Sequence, residues 1–329
     1  MKSLFFKITL PVLLTLLFPF RLRADVQISE EYQNSGFMGI GASRGETIQK
    51  IKGNDSSIDS SQDFSGGMMG LIGGTQSGPK RKIDIIRLQD KKRWILDPAK
   101  KTYTEVPLKA QTPKEPNMSH IPVRLKGTSF KIAPSKMRKT IHGFKTRLYN
   151  AEFIMKLENT QNKQVSTFKV KLKIWVAPWT LTLRKAHREI EDFNSKYLKA
   201  TGTGSVGLGA QPLGLEMLKS MTHSSGKALT KGITEFRKKM SEIPGFPIEM
   251  ESNWYVSLPK QKSQSPAALE GLKSANLPEA TKNLLAGLLE AANPNGESPL
   301  ISMTSSVSSI KLAPLAGKNF QIPQGYRRK

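Results

Sequence analysis

Cysteine is absent from all 329 residues. That excludes disulfides, thiol chemistry, soft-metal centres and lipid attachment through an N-terminal cysteine. Stability must then come from burial, for which a chain of this length suffices. Histidine is scarce: His120, His142, His187 and His223 lie far apart, and none has a partner at a recognised ligand spacing. His187 and Glu191 stand four apart, a spacing that could make half a metal site but is better explained by a surface hydrogen bond or helix pair. After the first two dozen residues no apolar run of about 20 occurs, so no later membrane anchor is expected. No GxSxG elbow is present. GTGSVG at 202–207 has dinucleotide-type spacing, but it follows a helical pattern instead of a strand and reads as a loop. Glu189, Glu191 and Asp192 sit among basic neighbours, where ion pairs within a helix account for them. With no catalytic constellation, metal set or cofactor motif in view, the sequence is read as non-enzymatic and without a cofactor.

What is present begins with a leader. MKSLFFK precedes ITLPVLLTLLFPF, a positive start and an apolar segment of secretory length, too short and too proline-broken to span a bilayer as a helix. Ala24 offers a small residue for cleavage. Residues 1–24 are therefore expected to be a signal peptide, the mature chain to begin at Asp25, and the protein to work in the periplasm or cell envelope of a bacterium. Removing Lys2, Lys7, Arg21 and Arg23 leaves 47 basic against 26 acidic residues, a net charge of +21. Such an excess favours anionic partners such as membrane headgroups, lipopolysaccharide or cell-wall polymers, with nucleic acid implausible outside the cytoplasm. Because the basic residues are spread along the chain, a merely solubilising surface explains them as well.

Strand patterns follow one another from Asp25: VQISEEY, TIQKIKGND, IDIIRL, RWILD, KTYTEV, then the long runs 139–159 and 165–177. In the last of these Phe168, Val170, Leu172, Ile174 and Val176 share one face, and Lys169, Lys171, Lys173 and Trp175 the other. After Pro178 the period changes. Leu183, Ala186, Ile190, Phe193 and Tyr197 step by three and four, an amphipathic helix of about 20 residues. A second helical stretch after Pro212 places Leu229, Ile233, Phe236 and Met240 on one stripe. Strand character returns at 246–258 and 300–312, and the intervening 260–299, with Leu284, Leu285, Leu288 and Leu289 between prolines, reads as a helical insertion. Strands followed by segregated helices and then strands imply an α+β fold, an extended antiparallel sheet with helices on one face.

Six ordered stretches carry a family likeness: the glycine-rich early segment with IKG (51–53), IIRLQDKKRWILDPAKKTYTE (85–105), KTIHGFKTRLYN (139–150), KIWVAPW (173–179), IPGFPIEME (243–251) and FQIPQGYRR (320–328). On these the chain resembles an exported bacterial family of unknown function in the outer-membrane lipoprotein carrier and receptor (LolA/LolB-like) superfamily. The resemblance implies one domain over 25–329. It implies an incomplete β-barrel, a curved antiparallel sheet wrapped around helices with an apolar cavity between them, the insertion at 260–299 being extra. The expected cargo is a lipid or lipoprotein acyl chain. Trp94, Leu183, Ile190, Phe193, Leu229, Ile233, Phe236 and Met240 are the candidate cavity residues. The alternative is a basic scaffold that docks on anionic envelope lipid or polymer without an internal ligand.

Overall fold

In the computed structural model, residues 25–36, 42–64, 80–108, 123–160, 163–201, 238–257 and 298–329 are described. They form one sheet of 12 strands. In chain order these are β1 (Val26–Asn34), β2 (Ser43–Lys52), β3 (Asp55–Phe64), β4 (Lys80–Arg87), β5 (Lys92–Asp97), β6 (Thr102–Pro107), β7 (Val123–Ile141), β8 (Phe144–Asn159), β9 (Val165–Ala177), β10 (Phe246–Ser257), β11 (Ile301–Leu312) and β12 (Arg327–Arg328). Across the sheet the order is β12-β6-β5-β4-β3-β2-β1-β11-β10-β9-β8-β7. Two meanders thus meet where β1 pairs with β11, between residues far apart in the chain.

Local chemistry sets the turns. The run 139–159 divides at His142 and Gly143, both at positive φ (47° and 84°), the two-residue hairpin geometry that lets β7 fold back on β8. Between β5 and β6 the Asp97 carboxylate accepts a hydrogen bond from the Lys100 amide at 3.1 Å, and Lys101 takes φ 48°. Helix α1 (Leu181–Thr201) starts where the Thr180 hydroxyl caps the Leu183 amide at 3.2 Å. It buries Leu183, Ala186, Ile190, Phe193, Tyr197 and Thr201, the stripe its 3.6-residue period dictates.

Two corrections to the expected architecture follow. The sheet is mixed, because β12 joins β6 in parallel while every other pairing is antiparallel. It is also not closed, ending at β12 on one side and β7 on the other. Secondly, the described chain is overwhelmingly strand with one long helix, so it is neither α+β nor a sheet wrapped around helices. The periodicity that suggested a second helix falls at 229–240, of which 238–240 is described and is helical, while the leader 1–24 and the expected insertion at 260–299, apart from Ser298 and Pro299, lie outside the described residues. Sequence could not foresee β12: two arginines have no strand signature, and they pair only because the preceding segment is tied down. Lys52 Nζ donates to the Leu315 carbonyl at 2.6 Å, Lys50 Nζ to Asn319 Oδ1 at 2.9 Å, and the Leu315 amide to Asp25 Oδ2 at 2.6 Å. Phe320 then buries itself on Ile85 and Leu96.

Candidate functional site

Strand alternation assigns each side chain to one of two sheet faces. On the face that α1 covers, Val26 and Ile28 of β1 stand opposite Ile51 and Gln49 of β2, and Leu312 and Ile310 of β11. The buried residues of α1 share a core with Val26, Ile28, Ile51, Ile86, Val307, Phe246 and Ile248. At the far side of that core Tyr197, whose hydroxyl pKa burial pushes up, approaches Arg93 and Asp84, themselves paired at 3.1 Å. The helix therefore packs over the part of the face formed by β1, β2 and β4.

Beyond the helix this face has two chemical halves. On β8 to β11 it is apolar: Ala151, Phe153, Met155, Val170, Leu172, Ile174, Met250 and Ile301 form a second core distinct from that of the helix. From outside the sheet, Met240 and Ile243 are the described partly buried residues that pack against it. On β1, β2, β3 and β11 it is polar, with Glu30, Thr47, Gln49, Ser56 and Ser305 all buried. Ser305 Oγ donates to Glu30 Oε1 at 2.5 Å, Gln49 Nε2 lies 3.5 Å from Ser56 Oγ, and Thr47 Oγ1 lies 3.5 Å from Ser60 Oγ. Desolvation pushes the Glu30 carboxyl up to about 7, against a smaller lowering by the Ser305 hydrogen bond. Tyr32 crosses this half to reach the Ser61 carbonyl at 3.4 Å. It does so over Gly45, where a Cβ would collide with the tyrosine ring and the Ser61 carbonyl.

Within the apolar half one polar atom stands alone. Trp254, 8% exposed, is part of the second core, and its Nε1–H has no hydrogen-bond partner among the described residues. A buried donor left without an acceptor costs about 1–3 kcal/mol, and such groups are rare enough in native proteins to require a reason. An acceptor from a bound molecule would supply one.

The expected cavity residues separate. Leu183, Ile190 and Phe193 lie in the core beneath α1, and Met240 packs against the second core. Trp94 is on the opposite face, packed with Leu96, Ile85 and Phe320, its Nε1–H donated to Glu105 Oε2 at 3.0 Å. The parity that puts it there is shared with Leu96, and the C-terminal segment provides the cover. Leu229, Ile233 and Phe236 lie outside the described residues. Trp175 is 7% exposed, shielded in part by Lys139, whose Nζ sits 4.4 Å from its ring centroid. His187 joins an aromatic group with Trp179 and Phe246 at 5.0 and 6.3 Å. Among the described residues no three histidine or acidic side chains gather closely enough to hold a metal, and no helix is long and apolar enough to cross a membrane.

Glu30 was legible in VQISEEY, where it has the parity of the apolar Val26 and Ile28. A carboxylate at a core-parity position is the signal. Trp254 has the parity of Met250 in the same way, but no sequence pattern reveals that its N–H is orphaned.

No family model matches the chain, and no curated protein matches it. Among solved structures it is similar to a domain from Vibrio parahaemolyticus provisionally assigned to outer membrane lipoprotein sorting, over 90% of this chain and 89% of that one. The identity is 6% and the TM-score 0.22. A likeness of that size carries no argument about fold or function.

Proposed function

We propose that this chain is a non-enzymatic binding protein of the cell envelope that holds a lipid or lipoprotein acyl chain against the apolar half of its sheet. The observation that carries this reading is the orphaned Nε1–H of Trp254 within a core that α1 does not share. Methylene groups would lie against Val170, Leu172 and Met155, where each buried CH2 contributes about 0.8 kcal/mol. Trp254 would donate to a carbonyl or carboxylate oxygen of the ligand. The buried polar strip at Glu30 and Ser305 borders the apolar half and suits the polar part of an amphiphile better than a filled core would.

Gently purified protein examined by native mass spectrometry, together with uptake of a fluorescent fatty acid, tests the proposal. Co-purified lipid, or saturable uptake displaced by an unlabelled fatty acid, is the expected result. Protein that is consistently lipid-free and takes up no probe overturns it.

A further inference from the structure

β7 is an edge strand, and it is interrupted. Pro134 pairs with Tyr149 and Arg138 with Arg147, so Ser135, Lys136 and Met137 stand opposite Leu148 alone. The extra residues form a broad bulge. Arg147 Nε holds the Ser135 carbonyl at 2.9 Å, and the Ser135 hydroxyl accepts from the Met137 amide at 3.2 Å. At its tip Met137 is 59% exposed, with Lys136, Arg138 and Lys139 exposed around it. Lys139 is pinned by Glu249 at 2.7 Å, and Lys136 and Arg138 have no carboxylate partner among the described residues.

The neighbouring sheet face continues the charge. Opposite the apolar half, β7 to β9 present Lys131, Lys156 and Lys171, all exposed; Lys171 sits 5.1 Å from the Tyr255 ring, and Glu152 of β8 stands across from both Lys131 and Lys171 in the register. Lys173 is neutralised by Glu251 at 3.2 Å. This is a cationic surface with an exposed apolar side chain, Met137, at the tip of its bulge.

We infer that the Ser135–Arg138 bulge and the lysine face of β7 to β9 form a docking surface for an anionic lipid bilayer. Charge alone would suit any polyanion. Met137 decides for a bilayer, because an exposed thioether chain ringed by cations gains from the headgroup–acyl boundary and gains nothing from a hydrated polymer. The surface is separate from the acyl site, since the two lie on opposite faces of the same strands, so either assignment can fail without the other.

The absence of cysteine makes the test direct. Met137→Cys carries an environment-sensitive fluorophore, and Lys100→Cys, on the exposed β5–β6 turn, carries the same label as control. Each is mixed with phosphatidylcholine vesicles with and without phosphatidylglycerol. A blue shift at position 137 alone, on the anionic vesicles alone, and lost as salt rises from about 50 to about 500 mM, is expected. Replacing Lys136 and Arg138 by glutamine should weaken vesicle binding about 25-fold, each basic side chain near an anionic surface contributing about fivefold. No shift at position 137, an equal shift on neutral vesicles, or anionic-vesicle binding with position 137 still in water overturns the inference.

Discussion

Replacing Trp254 by phenylalanine sets two expectations against each other. Removing an unpartnered buried N–H returns about 1–3 kcal/mol of desolvation. Losing part of the indole from a packed site costs about 1–2 kcal/mol in transfer and cavity terms. The two nearly cancel, so the ligand-free variant should unfold in urea with its stability unchanged to within about 1 kcal/mol. Affinity for a fluorescent fatty acid should nevertheless fall about five- to tenfold, the worth of one hydrogen bond to the ligand. A side chain used only for packing gives a different outcome, with fatty acid affinity unaltered by the substitution. That result would refute the assignment. Trp94→Phe is the internal comparison, because its Nε1–H is already satisfied by Glu105; it should leave fatty acid affinity unchanged.

Three further perturbations test the fold around the site. Glu30 binds its proton more tightly when folded, at about 7 against 4.5, so its contribution to stability is present below pH 4.5 and is lost as pH rises toward 7. At ~1.4 kcal/mol per pH unit the loss is about 3 kcal/mol. Urea titrations at pH 5 and pH 8 should show the stability difference between wild type and Glu30→Gln moving by about 2.5 kcal/mol in favour of the variant at pH 8, and a pH-independent difference would remove the buried-carboxyl account. Gly45→Ala forces a Cβ into the Ser61 carbonyl and the Tyr32 ring. It should lower stability by about 1–3 kcal/mol by chemical denaturation, and an unchanged midpoint would show that Tyr32 does not cross there. Phe320→Ala empties a site that is 2% exposed; a loss of about 3 kcal/mol is expected, together with faster amide exchange in β12, and slow exchange there would mean that Phe320 does not hold the terminal segment.

The strands were legible wherever one face is buried and the other wet. In β9 the lysines at 169, 171 and 173 alternate with Phe168, Val170, Leu172 and Ile174, and the register confirms both faces. Helix α1 was legible for the same reason at a different period. The pairing of β1 with β11 was not, since nothing local in either strand names a partner more than 250 residues away. Nor was the fate of Trp94, whose burial depends on a tail with no strand or helix signature. The polar strip was half legible: Glu30 and Thr47 sit at core-parity positions, yet only the cross-strand register places Ser305 beside the carboxylate. The bulge at Ser135 was hidden because SKMRK reads as an ordinary polar stretch until the pairing shows three residues set against one.

β9 ties the two proposals together physically. Its alternate residues serve opposite faces, so a register slip of one residue would carry the lysines into the apolar half and the aliphatic row into water. Both faces therefore fix one register, and neither site can be tuned by moving the strand. Changes must instead come from side chains that do not touch across the sheet. Trp254 and Met137 meet that condition: they lie on strands three places apart in the sheet, they share no partner, and one is buried while the other is exposed. Their substitutions should then be additive in free energy. Trp254→Phe should lower fatty acid affinity equally in the Met137 and Met137→Ser backgrounds, and Met137→Ser should weaken anionic-vesicle binding equally with Trp254 or phenylalanine at 254. A departure from additivity beyond about 0.5 kcal/mol would show that the two faces communicate, and that loading the apolar half alters how the protein sits on a membrane.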